Sequence, residues 1–399
     1  MKRIFAVVVV LLLIGGCAVL LKNPMLRDIL PIDDVLGTES STEEEGTQPP
    51  QDEEPVHETE LPQKERTVRN ILSNMSLEEK VGQMFFVRCP TGMAANYVSQ
   101  YHLGGYILFA RDFKDKTAQE VTGTIASYQA AAEVPMLIGV DEEGGTVVRV
   151  SSNPNLFPHK CLSPQALYAN GGMDAIEGDA VTKNTTLLGY GINVNYAPVA
   201  DVSTDPDDFM YDRAFGQDAQ ATAEYVKTVV TAMNGVGIGS VLKHFPGYGN
   251  NVDTHTGIAV DERSYETFTS SDFLPFSAGI EAGAGSVLVS HNIVSCMDKD
   301  LPASLSPEVH RILREELGFE GVILTDDLAM DAVKAYAEDG SVAVLAVQAG
   351  NDMIVTTDFT EQIPLVIAAV ESGEIDEAVI DAAVTRVLGW KYDLGRLRR

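Results

Sequence analysis

Cysteine, tryptophan and positive charge are all scarce in this chain. Its 399 residues include four cysteines and one tryptophan. Cys17, Cys89, Cys161 and Cys296 lie far apart, with no CxxC pair and no Cys/His ligand cluster. A metal site therefore has no support in the sequence. With Cys17 in an N-terminal apolar run, three cysteines remain, and an odd number in an exported domain suggests buried free thiols rather than a disulfide framework. Lys and Arg number 28 against 58 Asp and Glu, giving a formal net charge of -30 and a pI near 4.4. Such a chain repels nucleic acid and anionic headgroups, so neither is an expected partner. Phosphate-binding glycine loops of the P-loop or GxGxxG type are missing as well.

The composition that is present divides the chain in three. Residues 1–21 read as a targeting or anchor segment. Lys2 and Arg3 precede an uncharged, mostly apolar run from Ile4 to Leu21, about 18 residues and just long enough to span a bilayer. Ile14-Gly15-Gly16-Cys17 resembles a lipobox, which makes Cys17 a candidate lipidation site. The apolar residues Ala18 to Leu21 favour an uncleaved signal anchor instead. Either way the rest of the chain is expected to be extracytoplasmic and tied to the membrane through this segment alone. Residues 22–66 read as an acidic linker. From Gly37 to Glu65 they are rich in Glu, Thr, Pro and Gln and carry too little apolar surface to offset chain entropy, so disorder is expected. Residues 67–399 have globular composition.

Within that domain, short apolar runs alternate with helical patterns. The runs are 83–87 (QMFFV), 105–109 (GYILF), 135–141 (PMLIGVD), 192–198 (INVNYAP), 239–244 (GSVLKH), 286–291 (SVLVSH), 321–326 (GVILTD) and 352–356 (DMIVT). Helices are expected at 118–132, 173–188, 219–236, 265–282, 307–317, 329–349, 359–372 and 376–394, with Ser306 and Asp358 as N-caps. This alternation predicts an α/β fold with a parallel sheet, and the repeat fits a (β/α)8 TIM barrel better than an open doubly wound sheet. Polar residues cluster at the ends of the runs: Asp141, Lys243 with His244, His291 and Asp326. In a barrel those ends share one mouth, where active sites sit.

Several of these residues suit chemistry. Asp326, directly after VIL, suits a nucleophile, base or ligand; Asp327 next to it suits a helix cap. Asp253 and His255 are two residues apart, so the carboxylate can orient the ring for proton transfer; an Asx turn beside a solvated histidine is the plainer reading. Gly247, Gly249 and Gly257 suggest a loop able to swing over a pocket. Lys243 suits a sugar hydroxyl or a carboxylate, and His244 is either a ligand contact or a core histidine. Asp141 can accept from two hydroxyls, or Asp141-Glu142-Glu143 can simply start a helix. Arg213, after Asp212, is a clamp or a surface ion pair. A nucleophile, a separate proton donor and a ring of hydrogen-bonding groups fit a hydroxyl-rich substrate.

These residues fall in motifs with a resemblance. MSLEEKVGQMFF, IGVDEEGGTVVR, GINVNYAPVADV, DRAFG, KHFPGYGNNVDTHTG and LTDDLAM occur in this order. The region from about Thr67 to Gly395 resembles the single-domain bacterial β-N-acetylglucosaminidases (β-N-acetylhexosaminidases) of glycoside hydrolase family 3. The resemblance implies a TIM barrel and a retaining mechanism in which Asp326 is the nucleophile and His255, paired with Asp253, is the acid/base. It implies that Asp141, Arg213, Lys243, His244, Arg149 and His291 bind a terminal N-acetylglucosamine of peptidoglycan fragments, with no metal or organic cofactor. A monomer is expected. Tyr248, Glu142 and Thr254 depart from the family pattern, and the first two bear on the second sugar site or on loop closure. A phosphorylase or broader β-glycosidase on the same site, and an inactive cell-wall glycan-binding protein, are the competing readings.

Overall fold

The computed structural model describes residues 61–250, 259–330, 333, 335–337 and 341–397. The anchor segment with Cys17 and most of the linker lie outside the described residues. So do Asp253, Thr254, His255 and Gly257.

Each apolar run forms one strand: β1 Phe85–Arg88, β2 Gly105–Leu108, β3 Leu137–Val140, β4 Val194–Asn195, β5 Gly239–Phe245, β6 Ser286–Val289, β7 Val322–Thr325 and β8 Ile354–Thr356. They form an 8-stranded parallel sheet in the order β8-β1-β2-β3-β4-β5-β6-β7. The ends meet through a parallel bridge between Leu324 and Met353, with Thr325 N donating to Met353 O at 3.2 Å. This closes the expected (β/α)8 barrel.

The period of two along each strand sorts the side chains. Phe86, Ile107, Leu137, Val194, Val241, Leu288, Val322, Leu324 and Val355 fill the barrel interior, together with Tyr196 just beyond β4. Their neighbours Val87, Leu108, Ile138, Leu242, Val287, Ile323 and Ile354 face the helices in the outer core. Followed to the strand ends and just beyond, the alternation turns Arg88, Phe109, Asp141, Lys243 and Asp326 towards the mouth.

The helices are α1 Gln63–Leu72, α2 Leu77–Gln83, α3 Ala94–Tyr101, α4 Ala118–Ala131, α5 Pro164–Gly189, α6 Ala219–Val236, α7 Phe273–Glu281, α8 Pro307–Arg311, α9 Val342–Ala349, α10 Phe359–Glu371 and α11 Glu377–Asp393. One-turn π segments lead into α7 (Phe268–Asp272) and extend α8 (Ile312–Glu316). The first three helices were not anticipated. Helix α1 begins N-terminal to Thr67, and Lys64 on it pairs with Asp393 at 2.5 Å. Helix α2 carries a readable signal, a capping box of Ser76 and Glu79; Gln83 ends this helix rather than starting β1. Helix α5 starts earlier than residue 173 and breaks at Gly171-Gly172, where Gly172 has φ 65°. The helix expected at 329–349 opens as a turn and bend at Leu328–Met330, and among the described residues it is helical at Val333 and then from Val342. Ser306 caps α8 through Val309 N, whereas Asp358 receives α10 with its carbonyl and makes no side-chain cap.

The thiols differ from expectation in burial. Cys89 is buried, Cys161 half-buried and Cys296 exposed, and all are free.

Candidate active site

The mouth is organised around one buried carboxylate, Glu143. Gly144 and Gly145 turn the chain after β3, and Lys183 of α5 donates to Glu143 O at 3.2 Å. The Glu143 side chain then accepts from Arg213 twice, Nε at 3.1 Å and Nη2 at 2.8 Å. Lys243 Nζ lies 2.6 Å from the same carboxylate and 2.7 Å from Asp141 Oδ1. Burial alone would push the Glu143 carboxyl up, but the Arg213 guanidinium and the Lys243 ammonium outweigh it and hold it well below the usual carboxylate range. Thus Asp141, Arg213 and Lys243 are brought together around Glu143. Arg213 takes Glu143 as its partner; Asp212 is exposed.

His244 follows Lys243 and is fixed from both sides. Its Nδ1 is 2.8 Å from Asp201 Oδ2, and its Nε2 is 3.2 Å from Arg213 Nη2. Guanidinium only donates, so Nε2 accepts and the proton sits on Nδ1, facing the carboxylate. Asp201 also accepts from His244 N at 3.1 Å and Tyr248 N at 2.8 Å. One carboxylate therefore sets the ring and the loop beyond it.

The start of the KHFPGYG stretch is wall rather than moving part. Tyr248 is buried, stands edge-on to His244 at 5.3 Å, and packs with Val199 and Met210. Its departure from the family pattern is absorbed in this packing. Gly247 (φ 122°) and Gly249 (φ 53°) have a steric reason: a Cβ would strike Asp272 at the first and the Arg263 guanidinium at the second. Arg263 binds Asp261, Asp272 and the Gly247 carbonyl, which ties this loop to the segment before α7. Glu142 is likewise structural. Its buried carboxylate accepts from the backbone of Arg149 at 2.9 Å and Val150 at 2.7 Å, so it folds that loop instead of meeting a sugar.

Arg149 reaches the mouth from the same loop. Its Nη2 lies 3.7 Å from Asp141 Oδ2, and its guanidinium stands over the Phe109 ring at 5.5 Å. Arg88, at the end of β1, stands over the same ring at 4.3 Å. Across the barrel, Asp326 N bonds to Val289 O at 3.0 Å, and Asp326 Oδ1 accepts from Asp327 N at 2.8 Å. Asp327 Oδ1 caps Ala329 N at 2.9 Å, the capping role expected of it, in a turn instead of a helix. His291 is fully buried, with Nδ1 2.8 Å from Ser304 Oγ and Nε2 3.1 Å from Asp327 O. A carbonyl only accepts, so Nε2 carries hydrogen. Those two contacts fit a residue that positions the Asp326–Asp327 turn.

Glu143, Asp201, Arg88, Phe109 and Tyr196 complete the mouth and were not singled out from sequence. Strand-end position was a usable signal for Arg88 and Phe109. Glu143 hid in a run of acids, and Asp201 in a loop without distinctive spacing.

Elsewhere, Glu79, His102 and Glu133 offer ligand atoms within 4.8 Å of one another beside a cavity of about 350 Å³. They precede β1, β2 and β3, so they lie at the end of the barrel opposite the mouth.

The chain is similar to proteins of known family in both sequence and fold. Residues 76–389 match the glycosyl hydrolase family 3 N terminal domain. A beta-hexosaminidase of Stenotrophomonas maltophilia is 32% identical over 306 residues, covering 75% of this chain and 90% of that protein. Among solved structures, the family 3 beta-N-acetylglucosaminidase of a Paenibacillus species superposes with a TM-score of 0.75 at 31% identity. It covers 81% of this chain, which spans only 63% of that longer protein. The beta-N-acetylhexosaminidase of Beutenbergia cavernae gives a TM-score of 0.72 at 28% identity, over 79% of this chain and 98% of its own. On the family match over residues 76–389 and the identity to these relatives, the chain belongs to glycosyl hydrolase family 3.

Proposed function

We propose that this protein is a retaining exo-β-N-acetylglucosaminidase that removes terminal N-acetylglucosamine from peptidoglycan-derived fragments. The observation that carries the reading is family membership along residues 76–389, with a beta-hexosaminidase matched over 90% of its length. The site supports it chemically. Asp141, Lys243, Arg213 and His244 form a cradle of donors and acceptors suited to sugar hydroxyls. Asp326 opens on the same mouth from β7.

In this reaction an Asp326 oxygen attacks the anomeric carbon as the C1–oxygen bond to the aglycone breaks. His255, oriented by Asp253, gives its proton to the departing oxygen. The same imidazole then takes a proton from water, whose oxygen displaces Asp326 from C1. Asp253 and His255 lie outside the described residues, so their roles rest on the motif. Residues 1–21 are proposed to hold a monomeric enzyme at the outer face of the membrane, through Cys17 lipidation or as an uncleaved anchor. Loss of labelling by a lipid precursor in Cys17→Ala would identify the first route.

The test is product analysis by mass on a muropeptide digest, with and without phosphate. Loss of one N-acetylhexosamine unit is expected. Sugar 1-phosphate as the main product would make the enzyme a phosphorylase, and no turnover of any glycan would favour a binding role. On p-nitrophenyl N-acetyl-β-glucosaminide, Asp326→Ala is expected to lose at least ~10³-fold in kcat, the scale of removing a group central to the chemical step.

A further inference from the structure

Three segments that share no sequence motif converge at the end of the barrel opposite the mouth. Glu79 stands in the first turn of α2, His102 follows α3, and Glu133 lies between α4 and β3. One carboxylate oxygen of each glutamate and one ring nitrogen of the histidine lie within 4.8 Å of one another. Glu79 and His102 are half-buried and Glu133 is exposed. All three line a single cavity of about 350 Å³.

The surroundings hold this cluster in place. Glu79 Oε2 accepts from Ser76 N at 2.6 Å, which orients the carboxylate and leaves it lone pairs to spare. His102 has φ 51° and ψ 39°, a left-handed conformation that glycine adopts at lower cost. Gln83 Nε2 donates to His102 O at 2.7 Å, and a Cβ on Gly82 would lie 2.7 Å from the same carbonyl. The missing side chain at Gly82 lets the end of α3 rest on α2, which brings the imidazole up to Glu79.

Two carboxylates and an imidazole on an acidic chain suit a divalent cation. The formal net charge of -30 draws cations to the surface. Mg²⁺ and Ca²⁺ take oxygen ligands, so an imidazole in the set favours a transition metal. Zn²⁺ binds nitrogen and carboxylate oxygen at about 2.0–2.2 Å, which puts tetrahedral ligand atoms roughly 3.3–3.5 Å apart. Small side-chain rotations close the remaining gap, with Glu133 exposed and able to turn.

We propose that Glu79, His102 and Glu133 bind one Zn²⁺, which clips α2, α3 and the α4–β3 connection together and keeps a fourth coordination position open to the cavity. Water fills that position. The unfolded chain does not assemble three ligands from separate segments, so the ion stabilises the fold by binding it. The site lies across the barrel from Asp326 and is separate from the sugar cradle.

The test is titration of the full-length protein, free of any polyhistidine tag, with Zn²⁺ against a chromophoric zinc indicator, and thermal melts with and without saturating Zn²⁺. His102→Gly suits the left-handed backbone and removes only the imidazole. Glu133→Gln removes a charge at an exposed position. Wild type is expected to bind one equivalent and to melt a few degrees higher when saturated. Each variant is expected to bind at least about tenfold more weakly, because even changes behind a ligand cost that much, and to lose the thermal gain. Co²⁺ in place of Zn²⁺ is expected to give the visible absorption of a four-coordinate ion in wild type and not in His102→Gly. No saturable zinc binding by wild type would overturn the proposal. So would an affinity of His102→Gly within twofold of wild type, which would put the ion elsewhere. If His102→Gly does not fold, Glu133→Gln decides by the same criterion. None of these readouts uses turnover, so a failed zinc site leaves the activity reading standing, and an inactive enzyme leaves the zinc site standing.

Discussion

Glu143 pairs with two cations of the mouth at once, Arg213 and Lys243. Lys243 is 2% exposed at its side chain and Glu143 equally so. Replacing one member of such a buried cluster leaves the others uncompensated, at a cost of ~3–5 kcal/mol. Glu143→Gln keeps the shape and removes the charge. It is expected to lower the melting temperature by several degrees and to weaken N-acetylglucosamine binding, because Lys243 then turns fully to Asp141. Calorimetry and thermal melts on the same sample check this. An unchanged melt would mean that Arg213 and Lys243 hold their places without it. The cradle was half legible in sequence for a physical reason. Asp141, Lys243, His244 and Asp326 stand at strand ends, where a charged residue interrupts an apolar run. Glu143 does its work two residues further on, within Asp-Glu-Glu, where acids also suit a helix start. Tyr196 looks like one more large residue of a buried run.

Among the elements, the strands were the easiest to read and the short helices the hardest. Strands buried on both faces are continuous apolar runs bounded by glycine, as in GYIL and VILT, and the chain offers few competing runs. Helix α3 has no side-chain cap at Met93, and α2 has only its capping box, so tertiary packing decides them. Helix α11 shows what that packing demands. Lys391 on it is fully buried, with Nζ 2.6 Å from Gln83 Oε1 at the end of α2. Burial pushes the Lys391 ammonium down to about 7. An unfolded lysine titrates near 10.4. Between those values the unfolded chain binds the extra proton, so stability rises with pH across this window. Below about pH 7 the cost of the buried charge is present in full. Lys391→Met removes that cost and leaves Gln83 Oε1 unpaired at every pH. The melting temperature of the variant relative to wild type is therefore expected to be highest near pH 6 and to fall steadily towards pH 9.5. A difference that does not change with pH would show that Lys391 keeps the proton affinity of an unfolded lysine despite its burial.

On the scale of the whole molecule, the two ends of the barrel are built differently. The mouth is lined by charge, while the opposite end is plugged by α11. Trp390 and Val387 on that helix join the interior cluster with Leu324 and Met353, and Leu394 packs beside them. Gly239 at the start of β5 has no side chain where the indole sits; a Cβ there would lie 2.8 Å from Trp390 Cζ2. The last helix of the sequence thereby completes a core whose other members come from all eight strands. Trp390 is the one tryptophan in the chain, so its emission reports this plug alone. If the plug and the barrel are one cooperative unit, urea unfolding followed by Trp390 emission and by far-ultraviolet ellipticity must give the same midpoint. Trp390→Ala, followed by ellipticity, is expected to lose ~3–5 kcal/mol, the cost of emptying a large aromatic site in a core. An emission change at lower urea than the ellipticity change would mean that α11 leaves first and that the strands hold the barrel without it. Coincident curves would instead make the C-terminal helix as much a part of the barrel as any strand, because the interior cannot stay dry once its floor is gone.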